Sequence, residues 1–106
     1  MIINKTPHAV NIISPDGTTA RVYERDVIPI RLKQSVVEDA PLPDGTPTTR
    51  TVYGEPEGLP EYREGVFYIV SQLVKNALPN RSDLLVPAEV VRDSEGNIIG
   101  CFSLGR

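Results

Sequence analysis

Three groups of polar residues in this 106-residue sequence could take part in chemistry. They are Asn4, Thr6 and His8 near the amino terminus, Arg50, Tyr53 and Glu55 in the middle of the chain, and Ser71 with Gln72 further on. A guanidinium group near a stacking aromatic ring suits anionic or planar partners. We predict that the three groups come together to form one ligand-binding site.

Ser71 lies between an apolar stretch, residues 66–70, and a segment with helical periodicity. The first amides of a helix have no partner within the helix and lie at the positive end of its dipole, so the backbone at Gln72 could hold an anion. Phosphate-binding loops use glycine to let the backbone approach the ligand, and residues 69–74 contain none. We therefore favour a simpler interpretation, in which the Ser71 hydroxyl caps its own helix.

The residue types of a hydrolytic triad are present in His8, Ser71 and Asp93, but no Gly-x-Ser-x-Gly turn surrounds the serine. One histidine and one cysteine, Cys101, supply too few ligands for a zinc site. We predict no metal, no cofactor and no catalytic residue. A small hydrolase or nucleotide-processing enzyme that uses His8 with Ser71 or Glu55 is the alternative.

An acidic segment, residues 54–65 (GEPEGLPEYREG), carries four glutamates and one arginine, so it accounts for the net charge of −3. Segments of this length without helix or strand periodicity are functional, disordered or packed by their own side chains, and Leu59 and Tyr62 could supply such packing. Prolines between the glutamates do not fit a calcium loop, which leaves solvated charge or a contact surface for a basic partner. The rest of the chain has no basic excess for phosphates, which argues against a nucleic-acid partner.

The composition predicts one globular domain, residues 1–106, because 40% apolar and 24% charged residues suffice for a single core. A lone cysteine excludes an intrachain disulfide, which favours the cytoplasm, and we interpret Cys101 as a core residue. No apolar run approaches the roughly 20 residues that cross a bilayer, so no membrane association is expected. The oligomeric state is left open.

Turn signals divide the chain into three predicted hairpins. The sequences SPDG, LPDG and SEGN, at residues 14–17, 42–45 and 94–97, combine turn-forming residues with a glycine that can adopt positive φ. The predicted strand pairs are residues 9–13 with 18–23, residues 29–37 with 46–53, and residues 88–92 with 98–104. Three hairpins favour a mainly antiparallel sheet.

One segment has helical periodicity. Val70, Leu73, Val74, Ala77 and Leu78 form a single apolar stripe, which predicts a short helix over about residues 72–78 that lies on the sheet. Residues 66–70 predict a central strand buried on both faces, and residues 83–87 predict a parallel strand after the helix. The predicted fold is α+β: a mixed, mainly antiparallel twisted sheet or half-barrel of about six or seven strands with one covering helix.

Several segments resemble a family of small, functionally uncharacterised proteins from bacteriophage, prophage and bacterial genomes. The residues that carry the resemblance are Asn4-Lys5-Thr6-Pro7-His8, Tyr53-Gly54-Glu55-Pro56-Glu57-Gly58-Leu59-Pro60, Tyr68-Ile69-Val70-Ser71 with Leu84-Leu85-Val86-Pro87, Val91-Arg92-Asp93 and Ile98-Ile99-Gly100-Cys101. The family has no established activity, so no catalytic residue is carried over. The resemblance implies a cytoplasmic accessory protein of viral or mobile-element origin. The expected function is a non-enzymatic binding module that captures a host protein or a small polar ligand.

Overall fold

The structure is a computed structural model and describes residues 1–28 and 30–106. Its elements, in chain order, are β1 (Ile2–Asn4), β2 (Val10–Ile13), β3 (Thr19–Tyr23), β4 (Arg31–Asp39), β5 (Thr48–Glu57), β6 (Phe67–Ile69), α1 (Gln72–Ala77), β7 (Leu84–Arg92) and β8 (Ile98–Gly105). The strands and the short helix agree with the predicted α+β class. Pro29, which the sequence places in a strand, lies outside the described residues.

Six strands form a mixed sheet in the order β1-β6-β7-β8-β2-β3. The prediction of a mixed sheet is confirmed: β1–β6, β6–β7 and β2–β8 are parallel, whereas β7–β8 and β2–β3 are antiparallel, so antiparallel strand pairs are not the majority in this sheet. The parallel contacts β1–β6 and β2–β8 bring the amino-terminal strands beside strands far along the chain, and local turn signals do not specify such pairings.

The six-stranded sheet is nearly closed at the point where its two edges meet. Asn4 at the end of β1 forms an isolated bridge with Arg25, just after β3. The amide of Asp26 also donates to the carbonyl of Asn4 at 2.8 Å. The half-barrel prediction is therefore confirmed for this sheet.

All three predicted hairpins are present, as β2–β3, β4–β5 and β7–β8. The second one is a separate two-stranded sheet. Its strand β5 continues to Glu57, so the prediction that residues 54–57 form a loop is wrong. Pairing continues there because Leu32 and Arg31 oppose Pro56 and Glu57 beyond an irregularity at Lys33. The two strand segments predicted over residues 83–92 are the single strand β7.

The central strand β6 separates two hydrophobic clusters. Ile69 packs on one face in a cluster with Val10, Leu85 and Cys101, whereas Tyr68 and Val70 pack on the other face with Val74 and Leu84. This confirms that the strand is covered on both faces and that Cys101 is a core residue. Since Val74 is the buried residue of α1, the helix covers the second cluster.

Helix α1 connects two parallel strands, β6 and β7, as predicted. Ser71 is its N-cap, and the helix ends at Ala77 with Leu78 as its C-cap, one residue earlier than expected. We refer to the six-stranded sheet with α1 as the body and to the β4–β5 hairpin as the arm. The radius of gyration is 17.2 Å, whereas a compact chain of this length has about 13 Å. The arm therefore extends away from the body.

Candidate functional site

A groove of about 600 Å³ lies between the arm and the helix of the body. Its lining residues are Arg50, Thr51, Val52, Tyr53, Gly54 and Glu55 of β5 and Leu73, Asn76 and Ala77 of α1. Three of the predicted site residues, Arg50, Tyr53 and Glu55, are therefore brought together here.

The groove runs along one edge of β5. Side chains alternate between the two faces of a strand, so six consecutive lining residues must include both faces. Strand β4 pairs along the other edge of β5, and no other strand pairs with β5 among the described residues. The backbone groups that point away from β4 are therefore available to a ligand in the groove.

The side chains around this edge combine apolar and charged character. Tyr53 and Leu73 are 42% and 49% exposed, which leaves a ring on the arm and an aliphatic group on the helix open to a ligand. Arg50 and Glu55 lie five residues apart along the strand, a separation of roughly 17 Å in an extended chain. The groove thus offers opposite charges near its ends and apolar contacts between them.

Gln72 contributes to this groove indirectly. Its Nε2 donates to Oδ1 of Asn76 at 2.9 Å, and Asn76 lines the groove. The two side chains are one helical turn apart, so the contact orients the Asn76 amide. Gln72 therefore acts as a positioning residue beside the groove.

Ser71 caps the helix. Its Oγ accepts a hydrogen bond from the amide of Val74 at 3.3 Å, as the capping interpretation predicts. The residue is absent from the groove lining. The geometry gives Ser71 a structural role at the start of a six-residue helix.

Asn4 and Thr6 form a buried network that shapes the amino-terminal segment. Asn4 Nδ2 donates to the carbonyls of His8 and Tyr23 at 2.7 and 2.9 Å, and Asn4 Oδ1 accepts from the Thr6 amide and hydroxyl at 2.9 and 2.6 Å. All the hydrogen-bonding capacity of this buried amide is therefore used within the protein. Asn4 stabilises the fold and has no capacity left for a ligand.

His8 lies at a different cavity, of about 370 Å³, which is lined by residues of β2, β7 and β8. Apolar residues such as Val10, Val90 and Ile99 form much of its lining. The predicted site residues therefore divide into a groove set, a helix cap, a buried network and this histidine. They do not line one common cavity.

Two ion pairs at the body were not identified from the sequence. Lys5 is buried; its Nζ contacts Asp26 Oδ2 at 2.8 Å and donates to the Ile28 carbonyl at 2.6 Å. The hydrogen bond from Lys5 holds the pKa of the Asp26 carboxyl below its usual value. Lys5 and Asp26 are 21 residues apart, and no sequence signal connects them.

The second ion pair fixes the start of β7. Asp83 is only 1% exposed and accepts two hydrogen bonds from Arg81, at 2.8 and 2.7 Å. This fork-shaped contact lowers the pKa of Asp83 and raises that of Arg81. Arg81 also donates to the carbonyl of Pro60 at 3.0 Å, which ties the acidic segment to the body.

The packing predicted for the acidic segment is confirmed for one residue only. Leu59 packs against the cluster beneath α1, whereas Tyr62 is exposed.

Within residues 1–28 and 30–106, no group of three or more His, Cys, Asp and Glu residues could hold a metal ion. No helix in the described part of the chain is long and apolar enough to span a membrane.

Comparisons of the chain with protein-family models, curated proteins and solved structures find no match in any of the three.

Proposed function

We propose that this chain is a non-enzymatic binding module that takes an extended segment of a partner protein into the groove between β5 and α1. The observation that carries the proposal is the unpaired edge of β5 beside an exposed helix face. An extended peptide can add to such an edge as a further strand, because its backbone supplies the missing hydrogen-bond partners.

The side chains of the groove supply selectivity for such a peptide. Tyr53 and Leu73 offer apolar contacts to alternate side chains of the added strand. Arg50 and Glu55 favour a peptide whose charges are opposite to theirs at the corresponding ends. The preferred ligand is therefore an extended segment with an apolar centre flanked by an acidic and a basic residue.

The open form of the groove favours a protein segment over a small polar ligand, since small-molecule sites are usually concave and bury most of the ligand. The hydrolase alternative is less well supported. His8 and Glu55 line different cavities, and the Ser71 hydroxyl accepts a hydrogen bond from its own helix. A host protein in the cytoplasm is the proposed partner, in keeping with the resemblance to proteins of phage and prophage.

A displayed library of random linear peptides tests this proposal. We expect peptides to be enriched on the wild-type protein, and Arg50→Ala and Tyr53→Ala each to weaken the binding of a selected peptide about tenfold. Arg21→Ala is the matched control, because it removes an exposed arginine from β3 of the body. Its affinity for the same peptide should equal that of the wild type.

Selected peptides with N-methylated amides separate edge addition from side-chain binding alone. In an added strand only every second amide points toward β5, so methylation of that set should abolish binding while the other set is tolerated. Equal binding by both methylated sets would contradict edge addition. Enrichment of the same peptides on Tyr53→Ala would contradict the proposal that the groove is the binding site.

A further inference from the structure

The outer edge of β4 is a second unpaired sheet edge on the arm. Strand β4 spans nine residues, Arg31–Asp39, and β5 is its only strand partner in the described part of the chain. The strand contains no proline, although proline is one of the usual devices that protect an edge from pairing. Val36, near the middle of the strand, is 69% exposed. An isolated two-stranded hairpin is only marginally stable in water, so additional strand pairing would stabilise the arm.

The charges of β4 are separated along its length. Arg31 and Lys33 lie in its first half, Glu38 and Asp39 lie at its end, and the residues between them are uncharged. A strand with this pattern is complementary to an antiparallel copy of itself, because the basic end of each copy meets the acidic end of the other. A parallel copy would oppose like charges, which is destabilising.

We propose that β4 pairs antiparallel with β4 of a second copy of this chain, so that two arms form one continuous four-stranded sheet. The contact has twofold symmetry, in which the same surface of each copy meets the other. Val36 lies on the axis opposite Val36 of the second copy, and the ladder covers residues 34–38. This edge is distinct from the β5 edge, so the self-pairing does not depend on the proposed peptide groove.

The irregularity in β4 lies just outside the proposed ladder of residues 34–38. The pairing of β4 with β5 shifts between Leu32 and Gln34, which places Lys33 outside the regular ladder. Lys33 and Asp39 are each three residues from Val36, so the Lys33 ammonium of one copy lies next to the Asp39 carboxylate of the other at both ends of the ladder. Lys33 is exposed and its present partner is an exposed carboxylate, Glu57, at 3.4 Å. Such surface pairs are weak, so the side chain can exchange partners at little cost.

Charge reversal provides the decisive test, with the mass in solution measured by light scattering and sedimentation. We expect the wild type to reach twice the 11.6 kDa mass of one chain as its concentration rises to about 1 mM. Lys33→Asp alone and Asp39→Lys alone place like charges at both ends of the contact. Each should weaken self-association about tenfold or more.

An equimolar mixture of the two single variants distinguishes pairing from misfolding. In a mixed dimer Lys33→Asp of one chain faces Asp39→Lys of the other at one end of the ladder, and the unchanged Lys33 and Asp39 face each other at the other end. Opposite charges therefore meet at both ends, so the mixed dimer should form with near wild-type affinity. A single-chain mass for the wild type across the whole range would overturn the proposal. So would self-association of the separate variants equal to that of the wild type, or a mixture no more associated than its components.

Cysteine cross-linking tests the register. Directly opposed residues in an antiparallel ladder have Cα atoms about 4.5 to 5.5 Å apart, which is within reach of a disulfide. Val36→Cys should therefore link two chains under mild oxidation, whereas Thr49→Cys, on β5 of the same arm, should not. The native Cys101 is buried and present in both variants, so any cross-linking through it gives the same background level in each. Equal cross-linking of the two variants would overturn the proposed axis.

Discussion

The body and the arm are stabilised in different ways although they belong to one short chain. The body encloses two hydrophobic clusters and three buried polar residues, Asn4, Lys5 and Asp83, each with partners inside the protein. The arm has a complete internal hairpin ladder but contributes no fully buried residue among those described. The body therefore supplies most of the folding free energy, whereas the arm presents edges and side chains to other molecules.

Ion pairs should show the largest difference between the two regions. Asp83→Ala removes a buried carboxylate and leaves Arg81 without its main partner, so we expect the free energy of unfolding to fall by about 3 kcal/mol. Glu57→Ala breaks the exposed pair with Lys33 on the arm and should cost less than about 1 kcal/mol. Urea titrations of both variants measure the difference. Similar losses would show that the arm is stabilised as strongly as the body.

The same apolar truncation in each region gives the next largest contrast. Val70 is 1% exposed in the core under α1, so Val70→Ala should lower the free energy of unfolding by about 2 to 3 kcal/mol. Val36→Ala on the arm should change it by about 0.5 kcal/mol or less in dilute, single-chain protein. Thermal and urea unfolding of this matched pair give the comparison. A large loss from Val36→Ala would mean that the arm packs on the body.

Two glycines provide a smaller contrast. A Cβ atom at Gly100 would lie 2.7 Å from the backbone oxygen of Asn11 and 2.7 Å from Ile13 Cγ1, so Gly100→Ala must push β2 and β8 apart. We expect a loss of about 1 to 2 kcal/mol. At Gly54 of the arm the nearest atom is Lys33 Cβ at 3.5 Å, an ordinary contact, so Gly54→Ala should be nearly neutral. Equal stability of the two variants would argue against the close approach of β2 to β8.

Acidic pH should weaken the body through the two carboxylates whose pKa values are lowered by cationic partners, Asp26 and Asp83. Each pKa is lower in the folded than in the unfolded chain. The stabilisation is therefore complete above the unfolded value, near pH 4, and is lost as pH falls through the folded value. Urea titrations from pH 6 to about pH 2 should show this loss in the wild type. Asp83→Asn should show a shallower decrease, and an unchanged slope would contradict the assignment.

Local chemistry made the turns and the cap predictable. Gly17, Gly45 and Gly96 all have positive φ in the turns that the sequence indicated, because Asp-Gly and Glu-Gly steps specify the turn within a few residues. The Ser71 cap was predictable for the same reason. Parallel pairing of β1 with β6 and of β2 with β8 depends on contacts between distant segments. The residues of β1 and β2 do not indicate which strands they pair with.

The candidate site was predictable only in part. Arg50, Tyr53 and Glu55 were selected for their chemistry, and β5 does present all three at one groove. Their neighbours Leu73 and Asn76 were assigned only to a helix that covers the sheet, since periodicity cannot show which parts of a helix stay exposed beside a distant strand. The structure separates His8 from this group because β2 pairs with β8, which places the histidine at the cavity beside these strands.

The pairing of the first strands with the last ones has a consequence for synthesis on the ribosome. Ile3 opposes Tyr68 and Ile12 opposes Cys101, so the body cannot close until nearly all of this sequence has emerged. Strands β4 and β5 of the arm are close in the chain, so their pairing can form earlier. Loop closure over long distances slows folding, so we expect the β4–β5 hairpin to form transiently in the nascent chain before the core strands pair.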